Sequence, residues 1–313
     1  MKLQQAVEAY LSHKRSLGMQ CETIARILRA FCKGIGDVGA NDVRDEAVRT
    51  YIYGSGPVTT NLHVKFDVLR GFYRYLLTRG YVASSPLPAH VPRKPERLIP
   101  HIFTREEIRQ LLRAAQERQW RGRKLDAETM RTLLLLLYGA GLRISEALRL
   151  TLADLDIPER LLTIRETKFY KTRLVPLGSD LCQLLESYLA ARREHGHPKP
   201  PESFLLVTRH SLPVTVQLAE DSFKRLCREV RVRRLDRGRF VPRLHDLRHS
   251  FAVHRLTACY REGGDVQRLL PQLSTYLGHV DIRSTQHYLT LTPELLSQAS
   301  NRFEHYRASG GAS

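Results

Sequence analysis

The chain has no run of about 18 apolar residues, the length that a membrane-spanning helix needs. Its longest leucine run, Leu133 to Leu137, is far too short, so no membrane span is expected. Cysteine is sparse and scattered. The five residues, Cys21, Cys32, Cys182, Cys227 and Cys259, are odd in number and form no CxxC pair. That argues against a disulfide framework and against a zinc ribbon, and a reducing cytoplasm is the simplest setting. The stretch from Met1 to Leu11 is amphipathic and lacks the apolar centre of a signal peptide. No internal repeat is present. Acid is the other shortage: 32 Asp and Glu stand against 50 Lys and Arg, a formal net charge of +18. A surplus of this size points to nucleic acid or an acidic membrane surface as partner, over a merely soluble charged surface.

What is present is enough to fold. At 313 residues with 42% hydrophobic side chains, the chain has room for about two domains with real cores. Residues 1–88 read as helices. Ala6, Tyr10 and Leu11 start one apolar stripe; Ile24, Ile27, Leu28 and Phe31 form a second; Val68, Leu69, Phe72, Leu76 and Leu77 form a third, closed by Arg79-Gly80. Their polar sides carry Lys14, Arg15, Arg26, Arg29, Lys33, Lys65, Arg70 and Arg74. Any one of these is at home on a solvated face, but together they suit a helical domain lying on DNA phosphates. Residues 89–102 are basic and Pro-rich, a linker signature in which Arg93 and Lys94 can track a phosphate backbone.

A second domain is expected over residues 103–306, with a flexible tail at 307–313. Thr104 to Glu107 fits a capping box. A Leu-rich helix over about 128–138 ends at Gly139-Ala140-Gly141, and another begins near Arg143. Leu161 to Thr167 alternates as a strand with Leu162 and Ile164 on one side, and Arg173 to Leu177 reads as its return. Helices follow from Ser179 and again from about 218 onward. The fold class is mainly α with a small β-hairpin or sheet.

The second domain carries the chemistry. A phosphodiester repels nucleophiles, and its transition state spreads charge over the non-bridging oxygens. Without a metal, fixed cations must meet that charge. Arginine does so with a planar fork that does not deprotonate, and Arg143 and Arg248 are the candidates, each near a helix start. A lone Arg would more often be a surface ion pair. His245 lies three residues before Arg248, on the same helical face. His249, four residues after His245, opens a zinc reading, but Asp246 stands where the zinc-protease pattern has Glu and no third ligand is evident. Structural burial is the better reading of His249. His279 follows a Leu277-Gly278 corner, and Tyr288 comes nine positions after it. A free tyrosine has a pKa near 10 and is a weak nucleophile until cations or a proton acceptor assist it. Lys168, in the turn between the hairpin strands, is a candidate general acid for a departing 5′ oxygen, with Lys171 as competitor.

The ordered set Arg143 with Glu146, Lys168, His245-x-x-Arg248, His279 and Tyr288, spread over about 145 residues, resembles the active-site pattern of the tyrosine recombinases, the phage-integrase-type enzymes. Single motifs are weak signals; the order and spacing together are specific. Arg173-Leu174-Val175-Pro176-Leu177 resembles the strand after the family's hairpin, which implies Lys168 over Lys171 as the catalytic lysine. Residues 1–88 are similar to the family's core-binding domain. Two departures stand out. The segment from Cys259 to Ser274 is longer than expected before the LGH corner and resembles mobile-element versions. Phe169-Tyr170 occupy a turn where smaller residues are common.

The resemblance implies a helical core-binding domain and a mixed α/β catalytic domain clamped around duplex DNA. It implies a 3′-phosphotyrosine on Tyr288, a Holliday junction, and a homo-tetramer on two DNA sites without any cofactor or metal. Accessory proteins are a further expectation. Lys171 and Arg173 are expected on DNA. The helix expected from Pro293 to about Tyr306 has an apolar face of Leu295, Leu296, Ala299 and Phe303 that could dock on a neighbouring subunit or pack on its own domain. The alternatives are a type IB topoisomerase-like activity, a catalytically silent DNA-binding regulator and, more weakly, an RNA binder.

Overall fold

The computed structural model describes residues 1–19, 21–54, 59–93, 99–117, 125–165, 172–232 and 241–278. Lys94, Lys168, Lys171, His279, Tyr288 and the expected helix at 293–306 lie outside the described residues. The chain divides into two compact units, Met1–Leu98 and Ile99–Ser313.

The first unit contains α1 (Leu3–Ser16), α2 (Glu22–Ile35), α3 (Asp45–Tyr53) and α4 (Thr60–Thr78). Their apolar stripes meet in one core of Leu3, Val7, Leu11, Leu28, Phe31, Val48, Ile52, Leu69, Phe72, Tyr73 and Leu76. Leu77, expected in the third stripe, is instead exposed. At 3.6 residues per turn, positions 69, 72 and 76 share a face and 77 is turned about 100° away from it. Gly80 adopts a left-handed φ of 68° just past α4, the conformation that ends a helix where glycine is available.

In the second unit, Thr104 and Glu107 form the expected capping box: the Glu107 carboxylate accepts from the Thr104 N–H at 2.7 Å, and the Thr104 hydroxyl accepts from the Glu107 N–H at 3.1 Å. It opens α5 (Arg105–Glu117). α6 (Ala127–Gly139) is capped by Asp126, which accepts from the Thr129 N–H at 2.7 Å. Its leucines 133, 134, 136 and 137 are all buried, because α6 is packed on several sides, by α5, α8 (Ser179–Glu194) and α10 (Leu244–Arg261). Between α7 (Ile144–Arg149) and α8 lies a small antiparallel sheet in the order β1 (Leu155–Asp156), β2 (Leu161–Ile164), β3 (Arg173–Pro176). Strand β1 is an addition to the expected hairpin. The β2–β3 register pairs Leu162 with Val175 and Ile164 with Arg173. Leu162, Ile164 and Val175 point into the core, while Leu174 is exposed.

α9 (Val216–Glu229), α10 and α11 (Val266–Leu277) complete the described unit. The long segment 259–274 is accommodated by running α10 to Arg261, turning at Gly263 (φ 73°) and starting α11 on an Asp265 cap. The architecture is thus mainly helical with one small sheet among the described residues. Among the described residues, no helix is long and apolar enough to cross a membrane.

Candidate active site

Three arginines converge on the C-terminal end of α11. Arg173 donates from Nε to the Tyr276 carbonyl at 3.1 Å, Arg248 from Nη2 to the Leu277 carbonyl at 2.6 Å, and Arg143 from Nη2 to the Gly278 carbonyl at 2.8 Å. The last carbonyls of a helix lack intrahelical partners and carry the negative end of its dipole, so cations are favoured there. Gly278 caps α11 in the left-handed region (φ 65°), and a Cβ there would stand 2.9 Å from Arg173 Nη1. The left-handed φ favours glycine at the residue just before position 279, and an added Cβ would also press on the Arg173 guanidinium.

The anchors come from separate elements. Arg143 is the N-cap of α7, and its N–H donates to Glu146 Oε2 at 2.9 Å while its Nη1 donates to Oε1 at 2.6 Å. Arg248 lies in the second turn of α10, 1% exposed, and also donates to the Gly141 carbonyl at 2.6 Å. That carbonyl is presented by a tight corner. Gly141 has φ +61°, and a Cβ there would come within 2.6 Å of the Phe251 ring. Arg143 is more open, with a third of its side chain exposed.

Glu146 sits at the hub. Arg173 meets both of its oxygens, at 3.0 and 2.8 Å, and Arg248 Nη1 lies 3.8 Å from Oε2. Burial raises the Glu146 pKa, but the hydrogen bonds and charges of Arg173 and Arg143 outweigh it and bring it down to about 2. Glu146 is therefore an anion at any working pH. His245 is held the other way. Burial, with Arg248, Arg243 and Arg143 as positive neighbours, pulls its pKa down to about 4, so it is neutral at pH 7. A neutral imidazole offers one acceptor nitrogen and one N–H.

The His245 and His249 rings meet edge to face at 4.6 Å, and His249 is half-buried. Asp246 is fully buried as the third residue of α10, accepting from the Arg243 N–H at 2.9 Å and from Arg243 Nη2 at 2.8 Å. Its task is to cap the helix that carries Arg248. Among the described residues, no group of three or more His, Cys, Asp or Glu could hold a metal ion.

Arg173 departs from its expected place on DNA. Its guanidinium points inward, is largely buried and is engaged by Glu146 and Tyr276. The reason is the pleat. Arg173 and Val175 are two residues apart on β3, so they share the inner face. That alternation was the available signal.

The basic residues expected on DNA in the first unit are mixed in their settings. Arg15, Arg26 and Arg29 line one cleft of about 550 Å³ with Cys21, Glu22 and Ala25. Lys33 and Arg93 are exposed. Arg29 pairs with Glu8 at 3.2 Å and Arg70 with Asp67 at 2.8 Å. Lys14 lies over the Tyr10 ring, and Lys65 lies over the Tyr51 ring while donating to the Tyr51 carbonyl at 2.9 Å.

The family model described as "Phage integrase family" matches residues 101–294. The chain belongs to the phage integrase family. Among its relatives is a Sinorhizobium fredii protein named as an integrase/recombinase, y4rB, 35% identical over 303 residues and covering 96% of both chains. The tyrosine recombinase XerD of Halalkalibacterium halodurans is 30% identical over 273 residues, covering 86% of this chain and 84% of that one. The fold matches a Tn1549 transposon integrase in complex with a circular intermediate DNA, with a TM-score of 0.69, 17% identity and coverage of 96% of this chain and 99% of that one. It also matches a lambda integrase dimer bound to a core site, with a TM-score of 0.64, 14% identity and coverage of 94% and 97%. This tyrosine recombinase is accordingly a DNA cleaving and rejoining enzyme, and its activity is site-specific recombination.

Proposed function

We propose that this recombinase cuts duplex DNA through Tyr288 and passes strands between two DNA sites. The Tyr288 hydroxyl oxygen bonds to the scissile phosphorus while the bond to the 5′ oxygen breaks, leaving a 3′-phosphotyrosine. The tyrosine gives up its proton, for which a neutral His245 is a suitable acceptor, and Lys168 protonates the departing 5′ oxygen. Arg143, Arg248 and His279 bind the non-bridging oxygens as charge builds. Attack of the free 5′-hydroxyl on the partner duplex's phosphotyrosine restores a phosphodiester without ATP, and two rounds resolve a Holliday junction. The observation that carries this reading is the convergence of Arg143 and Arg248 on the Leu277 and Gly278 carbonyls. It brings residues 105 positions apart in the chain to the two residues immediately before His279.

The assembly belongs to the same proposal. Residues 1–88 act as the core-binding domain, with Arg15, Arg26 and Arg29 on phosphates and Lys14, Lys33, Lys65 and Arg70 nearby. Residues 89–102, with Arg93 and Lys94, form the linker, and 103–306 the catalytic domain, with Lys171 at the DNA. Four copies act on two sites in the cytoplasm, with the helix at 293–306 as the link between subunits and accessory proteins as further partners. A mobile-element role fits the long 259–274 segment. Relatives named as recombinases favour strand exchange over topoisomerase-like relaxation or silent binding.

Covalent adducts selected from a randomised duplex library, each duplex nicked near its centre, test the chemistry. Wild type is expected to give an SDS-stable adduct and to reveal the target sequence. Tyr288→Phe is expected to bind that sequence and give none. An adduct persisting in Tyr288→Phe would remove Tyr288 as the nucleophile.

A further inference from the structure

The charge around Glu146 poses a problem that one residue resolves. Arg143 spends its Nη1 on Glu146, and Arg248 lies 3.8 Å from the same carboxylate. An anion so close to the two phosphate-directed arginines cancels part of the positive field that a phosphodiester transition state requires. Arg173 supplies the compensating charge. It meets Glu146 with a parallel pair of donors from Nη1 and Nη2, the strongest arrangement available to an arginine and a carboxylate. Its Nε is fixed at the same time on the Tyr276 carbonyl. With Nη1 and Nη2 on Glu146 and Nε on Tyr276, it is well placed to act through Glu146.

We propose that Arg173 is a positioning residue for strand cleavage: it neutralises Glu146, so that Glu146 can orient Arg143 without cancelling its charge. The inference rests on the recombinase chemistry proposed above and adds a member to it that does not touch the phosphate. It makes an unusual demand of a double variant. If Arg173 acts as the counter-charge of Glu146, removing both charges by Glu146→Gln and Arg173→Gln leaves Arg143 and Arg248 positive, with an amide oxygen at position 146 still accepting from Arg143, and the site competent. If Arg173 is only a brace for β3 and α11, removing a second contact cannot help.

The test uses the full chain and a nicked duplex carrying the sequence selected with wild type, and reads the single-turnover rate of covalent adduct formation, DNA affinity and the thermal melt. Arg173→Gln is expected to slow adduct formation on the order of 10²-fold with DNA affinity within about 3-fold of wild type. The double variant Arg173→Gln, Glu146→Gln is expected to return to within about 10-fold of the wild-type rate. A double variant no faster than Arg173→Gln, or an Arg173→Gln enzyme at the wild-type rate, overturns the inference. Should Arg173→Gln lack a cooperative melt, Arg173→Lys decides, because it keeps one charge beside Glu146. A rate within about 10-fold of wild type supports the counter-charge role, and a 10²-fold loss with an intact melt overturns it. Wild type that forms no adduct on any duplex overturns the cleavage chemistry and this inference together, whereas wild-type adducts without rescue overturn the inference alone.

Discussion

Glu146→Gln should destabilise the second unit by about 3 kcal/mol near pH 7. The carboxylate is 9% exposed and faces Arg143, Arg173 and Arg248. Its pKa falls from an ordinary 4.5 to about 2, and at 1.36 kcal/mol per unit that drop corresponds to about 3 kcal/mol favouring the folded state. The same figure follows from the usual cost of removing one member of a buried ion pair, about 3–5 kcal/mol, because the arginines left behind lose their partner. The pH dependence supplies a sharper check. A carboxylate whose folded pKa is depressed stabilises fully above its unfolded pKa, and that stabilisation is lost as pH falls from 4.5 toward 2. Urea denaturation of wild type and Glu146→Gln should therefore show a constant gap between pH 5.5 and 8 and a shrinking gap below 4.5. A gap under about 1 kcal/mol at pH 7, or one that does not narrow in acid, would refute the claim that ion pairing outweighs burial at this carboxylate.

The remaining predictions concern the neighbours of that hub. His245 has a folded pKa near 4 against an ordinary 6.5, so the unfolded chain binds the extra proton between those values and stability falls as pH drops through that window. The stability difference between wild type and His245→Gln should shift by about 1–2 kcal/mol from pH 7 to pH 5, and a pH-independent difference would show that His245 protonates normally. Gly141→Ala should cost about 2 kcal/mol or more in a urea melt, combining a left-handed φ with a 2.6 Å approach to Phe251; a neutral effect would mean that the corner relaxes freely. Arg143→Ala and Arg248→Ala should each slow adduct formation by about 10²-fold or more. Arg248→Ala should also lower the melt, by about 3–5 kcal/mol in stability, since Arg248 is 1% exposed and its removal strands two carbonyls and unbalances Glu146. Equal stability losses from the two alanine variants would contradict that difference in burial.

Much of this fold can be read from period alone. The leucines of α6, the Leu162 and Ile164 alternation in β2 and the capping box at Thr104 each follow from rules that act within a few residues, and each is in place. Leu77 lies outside the core because it follows Leu76 by one residue and is turned about 100° from the buried face. β1 is two residues long, too short for any alternation to register. The site divides along the same line. Residue identity and order name Arg143, His245 and Arg248, since the chemistry demands those side chains. They give no hint that α11 terminates on three guanidinium groups, because a backbone carbonyl has no letter in the sequence. Arg173 shows the limit most clearly. Its charge invites a place on DNA, while its position two residues from Val175 on a strand puts it on the inner face. Where charge and period disagree, the pleat decides the direction, and a buried partner such as Glu146 then makes the burial of the charge affordable. A basic residue on the apolar register of a strand is thus better read as a search for its buried acid than as a contact for solvent or substrate.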